Sequence, residues 1–273
     1  MKIYYENSEK TKMIDFGRGK YEIADTNIFQ HEFQYVSEND RITEFKRGIQ
    51  TYSIEANINS TGKESWKKLY DDMNAIFYGD MIKKKRGTLH VNGSYITCNI
   101  YASYPKEIFE DWGFQTTELK IVTDSTGWLE EETRRFFPKS DGSATGGLGF
   151  PFDFPFDFAE SKTGFEQWNV DHYSSSHFNM TIYGPCENPR VLINGYPRQV
   201  FTSLEANEYL VIDSRNSTVI KHLANGTTVS VYNSRQFQPS IFEKIPSGLL
   251  NIDWSGAFGF DITLYIERSE PKW

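Results

Sequence analysis

The sequence predicts a mainly β protein built as two domains, an N-terminal antiparallel β domain that packs one α-helix and a C-terminal β-sandwich. Three observations carry this expectation. Apolar and polar residues alternate with period two along much of the chain, as in Tyr52, Ile54, Ala56 and Ile58 and again in Phe260, Ile262, Leu264 and Ile266, which gives each such strand one buried face. A helical period is well specified in one place, between positions 61 and 79. A Gly/Ser-rich stretch at 140–149 separates the two halves, with the composition in which domain boundaries fall. The expected division is a first domain at 1–139, a linker at 140–149 and a second domain at 150–273, and 273 residues suffice for a core in each.

In chain order, residues 1–60 read as strands. Positions 27–36 and 41–50 flank the polar turn Ser37-Glu-Asn-Asp40 and form a long hairpin whose apolar and charged residues mix on both faces. It reads equally as an arm that meets a neighbouring subunit and as a plain exposed hairpin. Thr61-Gly-Lys-Glu64 is a capping box, after which Trp66, Leu69, Tyr70, Met73, Ile76 and Phe77 fall at helical spacing until Gly79 stops the run. No polar group converges beside that stripe, so it reads as core packing and not as a cofactor box. Within 87–100, Asn92-Gly93 suits a type I′ hairpin turn. The resulting register places Leu89, Val91, Ile96, Cys98 and Ile100 on the buried face, with His90 opposite Tyr95 on the other. Another strand follows at 117–124, and 128–137, short and charged, reads as one helical turn leading to the linker.

The second domain opens on a repeated unit, Phe150-Pro-Phe-Asp153 and Phe154-Pro-Phe-Asp157. Each Pro lacks a backbone donor and pushes its predecessor into extended geometry, which excludes both a helix and a central strand. Extension places Phe150, Phe152, Phe154, Phe156 and Phe158 on one face, a docking ribbon for a domain edge, a partner, or both. Beyond it, turn signals at Gly184-Pro185, Asn194-Gly195, Asn225-Gly226, Pro246-Ser-Gly248 and Ser255-Gly256 separate about seven strand-like runs, the pattern of an antiparallel sandwich.

The formal net charge of −8 argues against a primary role on nucleic acid or on an anionic membrane, and the basic cluster Lys83-Lys-Lys-Arg86 reads as a solvated loop beside a turn. No leader-like or membrane-spanning apolar run occurs, so synthesis and folding in a cytoplasm are expected. The two cysteines, Cys98 and Cys186, fall in different predicted domains and read as free, buried thiols. An aromatic content of 16% points instead toward buried interfaces, and hence toward an assembling protein.

The Phe-Pro-Phe-Asp repeat, Ile182-Tyr-Gly-Pro185 with Asn188-Pro189, Glu208-Tyr-Leu-Val-Ile-Asp213, Ile245-Pro-Ser-Gly248 and the ending Glu267-Arg-Ser-Glu-Pro-Lys-Trp273 together resemble the distal tail protein family of siphophages and prophages. The resemblance covers most of 146–273, and the first domain is similar in outline. It implies a virion structural protein made in the bacterial host cytoplasm and placed at the tail tip. It also implies a hexameric, ring-forming first domain and a galectin-like second domain. The implied partners are further copies of the chain, the tail tube and tape-measure proteins, a tail-associated fibre or lysin protein and, in some phages, receptor-binding proteins.

Candidate groups for catalysis and metal binding are few. Asp153 and Asp157 are spaced regularly beside aromatics, but four residues of polyproline-like chain span about 12 Å, beyond the roughly 5–9.5 Å of a glycosidase pair. His172, His177 and Asp171 have no further ligand placed to complete a metal site. His90 has no catalytic partner nearby in sequence, and no nucleophile elbow or phosphate loop occurs. The expectation is a non-enzyme without metal or cofactor. Carbohydrate binding is the alternative reading, as an adhesion module for cell-wall glycan. Against it, Cys186-Glu-Asn-Pro-Arg190 matches a galectin sugar-binding strand only with Cys where His belongs.

Overall fold

The structure is a computed structural model and describes residues 1–17, 19–60, 65–109, 113–139 and 164–273. The Phe-Pro ribbon at 150–158 and the capping-box residues 61–64 lie outside the described residues. The fold is mainly β with one α-helix. It divides into two compact units, Met1–Glu130 with Glu267–Trp273, and Glu131–Ile266. The last seven residues thus belong to the first unit, whereas the sequence reading carries the second domain through to 273.

The first unit contains β1 (Ile3–Glu6), β2 (Met13–Asp15), β3 (Tyr21–Thr26), β4 (Gln34–Glu38), β5 (Arg41–Lys46), β6 (Gln50–Asn59), α1 (Trp66–Ile82), β7 (Gly87–Val91), β8 (Ser94–Phe109), β9 (Phe114–Thr123) and the start of β10 (Trp128–Phe136). β8 organises it. Its first half pairs with β7, which continues to β1 and β2, and its second half pairs with β9, which continues to β6 and β3. Asn92 and Gly93, at φ 49° and 94°, make the left-handed pair of a two-residue hairpin turn, and His90 stands opposite Tyr95. Alternation then buries Leu89, Val91, Ile96, Cys98 and Ile100 together with Tyr52, Ile54, Ala56 and Ile58.

Two local expectations are corrected. α1 does not stop at Gly79 but continues to Ile82, because the additional turn carries Asp80 into a buried hydrogen-bonded position that outweighs the ~1 kcal/mol cost of a helical glycine. Lys84, at φ 51°, lies just past the helix end. Residues 128–136 form strand β10 and not a helical turn: Trp128 and Phe136 anchor its two buried ends, and Leu129 pairs with Tyr95, so tertiary pairing overrides a weak local propensity.

The second unit begins within β10 and contains β11 (Gly164–Val170), β12 (His177–Tyr183), β13 (Cys186–Glu187), β14 (Arg190–Ile193), β15 (Tyr196–Gln199), β16 (Ser203–Leu204), β17 (Tyr209–Asp213), β18 (Thr218–His222), β19 (Thr228–Ser230), β20 (Gly248–Trp254) and β21 (Phe260–Arg268), the last ending in the first unit. One sheet orders β21, β12, β17, β18 and β19; the other orders β11, β20, β14 and β15. Both contribute inward residues to one core, Phe178, Met180, Ile182, Leu210, Ile262 and Leu264 from the first, Trp168, Val191, Ile193, Leu250, Ile252 and Trp254 from the second. β11 and the short strands β13, β15 and β16 add to the seven runs legible in sequence. Asn194 and Gly195, at φ 50° and 78°, turn β14 into β15.

Candidate assembly surfaces

Among the described residues β4 and β5 pair only with each other, and every residue in both strands is exposed. Asn39 and Asp40, at φ 49° and 59°, make the turn, a conformation that these two residue types tolerate better than other side chains do. The register shifts between Val36 and Ser37, so that Tyr35 faces Phe45 and Ser37 faces Ile42, with Thr43 left over as a bulge; its hydroxyl donates to the Val36 carbonyl at 3.1 Å. The bulge sorts what simple alternation mixes. Ile42 and Phe45 have opposite parity in sequence, yet cross-strand partners share a face, so Tyr35, Ile42 and Phe45 stand together. They are 65%, 56% and 63% exposed.

The helix stripe splits between core and surface. Leu69, Met73 and Phe77 are buried, and Trp66, Tyr70 and Ile76 pack partly buried against the same core. The helix starts at Ser65, whose hydroxyl accepts from the Lys68 backbone N–H at 3.4 Å. The sequence reading ends the helix at Gly79 and so leaves its outward face unread, although Tyr78, Met81 and Ile82 stand at i, i+3 and i+4. There Tyr78, Met81 and Ile82 are exposed, and with Asn74 and, from β8, Tyr101 and Ser103, the first two line a groove of about 410 Å³. Lys83 pairs with Glu9 at 2.7 Å and Arg86 with Asp124 at 2.6 Å; Lys84 and Lys85, between them, make no salt bridge among the described residues.

Asp153 and Asp157 lie outside the described residues, and the described histidines and cysteines make local packing and hydrogen-bond contacts. His90 stacks on Tyr4 with centroids 4.4 Å apart, and burial lowers its pKa against the pull of Glu6, 3.8 Å away. His177 Nδ1 meets the Ser214 hydroxyl at 3.2 Å, and His172 Nε2 meets that of Ser174 at 3.0 Å. Among the described residues no cluster of three His, Cys, Asp or Glu could hold a metal ion. Asp80 accepts from the Tyr5 hydroxyl at 2.7 Å and from the Ser8 N–H and hydroxyl at 3.0 and 2.6 Å. Burial first, and that bond second, hold the Tyr5 hydroxyl protonated far above the ordinary tyrosine range. Cys98 and Cys186 are free thiols, but only Cys98 is buried as the sequence leads one to expect, Cys186 being half-buried at the short β13; burial pushes them up to about 12 and about 11. In the segment compared with a sugar-binding strand, Cys186 and Glu187 pair with Leu204 and Ser203, and Asn188, at φ 48°, turns the chain into β14. No helix of the described residues is long and apolar enough to cross a membrane.

No protein-family model matches the chain, and no curated protein matches its sequence. Solved structures do match. A chain of the phage P2 baseplate in its activated conformation with Ca superposes at TM-score 0.60 with 13% identity, over 98% of each chain. A chain of the phage p2 baseplate in its activated conformation with Sr gives 0.61 and 13%, over 99% of each. The Dit protein of SPP1, presented as a paradigm of the hub adsorption apparatus in phages infecting Gram-positive bacteria, gives 0.58 and 7%, over 96% of this chain and 98% of that one. From end to end, then, the chain has the fold of phage baseplate and Dit hub proteins.

Proposed function

We propose that the protein is a non-enzymatic structural component of a phage or prophage tail tip, a distal tail protein of the baseplate hub. In this reading the first unit closes a homo-oligomeric, hexameric ring. The ring joins the tail tube and tape-measure proteins to a tail-associated fibre or lysin protein, and the second unit offers a platform for receptor-binding proteins. The chain is made in the host cytoplasm and ends in the virion.

The observation that carries this is the completeness of the fold match, 96–99% of this chain against 98–99% of each neighbour. β-Sandwiches recur among unrelated proteins, so a likeness of the second unit alone would carry little. Here the first unit is matched as well. Support for self-assembly comes from the β4–β5 hairpin, because two strands without a third are marginal in water and three large apolar side chains share one uncovered face. Light scattering over a concentration series to high micromolar, with negative-stain images, tests the reading. A closed ring near six subunits is expected, and a chain that remains monomeric throughout both measurements overturns it.

A further inference from the structure

A closed ring of identical chains needs a head-to-tail contact, which joins two different surfaces of the same chain. Two exposed apolar surfaces of the first unit suit such a contact. One is the hairpin face of Tyr35, Ile42 and Phe45. The other is the groove between α1 and β8, with Tyr78, Met81 and Tyr101 along it. We propose that the hairpin of one copy docks in the α1–β8 groove of the next copy, and that this is the repeating contact of the assembly. The inference rests on the ring reading above and adds the receiving surface to it.

Charge and length both favour a second copy as the occupant. At the hairpin tip Glu38 and Asp40 make no salt bridge among the described residues, and at the end of α1 neither do Lys84 and Lys85. A hairpin laid along α1 with its tip toward the helix C-terminus brings those carboxylates to those ammonium groups. The same direction fits by length. From Asp71 to Met81 the groove follows α1 for about 15 Å at ~1.5 Å per residue. From the Tyr35 rung to the turn the hairpin extends about 14 Å at ~3.4 Å per residue. In that pose Tyr35 and Phe45 lie beside Asn74 and Tyr78, and Ile42 lies nearer Met81.

Cross-linking in the full chain tests this. Ile42→Cys and Tyr78→Cys are introduced together with Cys186→Ser, which leaves only the buried Cys98 as a native thiol. With a short bismaleimide the double variant should give a covalent ladder rising to the closed ring, while a mixture of the two single variants should give dimers and nothing larger. A ring of parental mass that yields no ladder overturns the contact and leaves the ring reading intact. As a second measurement, Tyr78→Asp with Met81→Asp should raise the concentration for half-assembly at least ten-fold with an unchanged melting temperature, since both side chains are exposed. Unchanged assembly of that variant also overturns the contact, whereas a parent that never assembles overturns both readings.

Discussion

Arg198 shows how far a single residue can depart from its sequence impression. It sits in β15 within Tyr196-Pro-Arg-Gln, a polar stretch in which nothing marks a core position, yet it is 1% exposed. Its guanidinium lies 4.9 Å from the Phe178 ring centroid and 5.2 Å from that of Tyr196, and Nη2 donates to the Glu243 carbonyl at 2.9 Å. Nε and Nη1 have no hydrogen-bond partner among the described residues, and burial lowers the group to about 10. Two cation–π contacts at ~1–2 kcal/mol each and one charged hydrogen bond at ~1.5–3 kcal/mol oppose a desolvation penalty of several kcal/mol and two unsatisfied donors. The costs win narrowly. Arg198→Met, which keeps the volume and the ring contacts, should therefore stabilise the second unit by about 1 kcal/mol, whereas Arg198→Ala should cost about 2 kcal/mol through its cavity. Urea melts followed by tryptophan fluorescence decide it, and a clear loss in the Met variant would mean that the guanidinium contributes net stability. The cysteines were easier to read, Cys98 from its alternation with Ile96 and Ile100. With both thiols raised well above neutral pH, a disulfide reagent at pH 8 should modify Cys186 slowly and Cys98 only after unfolding; rapid native labelling of Cys98 would contradict its burial.

At the scale of elements, legibility followed the locality of the physics. The 87–100 hairpin was readable to its register because a two-residue Asn-Gly turn fixes which side chains face the core. The β4–β5 hairpin was readable as a hairpin but not in its faces. A bulge is set by backbone register and leaves no parity signal, so the two faces read as mixed, whereas Ile42 and Phe45 share one because Thr43 is unpaired. β10 failed for the converse reason, its partners lying far away in sequence. Among the surfaces, the inward stripe of α1 was legible from spacing, while the groove on its outer side needs β8 alongside it and has no sequence period of its own. The hairpin's recovered apolar face yields a prediction at this scale. Ile42→Asp with Phe45→Asp should leave the unfolding free energy within ~0.5 kcal/mol of parent, because neither side chain is buried in the monomer. The concentration for half-assembly should rise at least ten-fold, about 1.4 kcal/mol. Sedimentation velocity over a concentration series measures this, and a parental distribution would remove the hairpin from the contact.

At the scale of the whole molecule, the chain leaves the first unit in β10 and returns to it in β21, so the first unit is closed by residues from both ends of the sequence. Alternation through 260–266 runs unbroken toward the terminus, which is why 267–273 read as the end of the sandwich; their partners are more than a hundred residues away. The Ser269 carbonyl accepts from Arg47 Nη2 at 2.7 Å, and the Lys272 N–H donates to the Ser94 hydroxyl at 3.1 Å. The Lys272 carbonyl accepts from Asn92 Nδ2 at 3.0 Å, and its ammonium reaches Glu130 at 2.8 Å. Trp273, though 82% exposed, stacks one ring face on Phe29 with centroids 4.0 Å apart. Surface ion pairs contribute little, but three hydrogen bonds at ~1 kcal/mol each and one aromatic pair at ~0.5–1.5 kcal/mol make about 4 kcal/mol, a large share of an ordinary domain's stability. A chain ending at Ile266 should therefore lose stability in the first unit alone. Hydrogen exchange read by peptide should show protection falling several hundred-fold in β7 and β8 while β12 and β17 keep theirs, and the proposed ring should weaken because its proposed contact surfaces are carried by the loosened unit. Equal loss in both units would mean that they unfold as one cooperative body, and no loss in either would mean that the returning segment is ornamental to the first unit's fold.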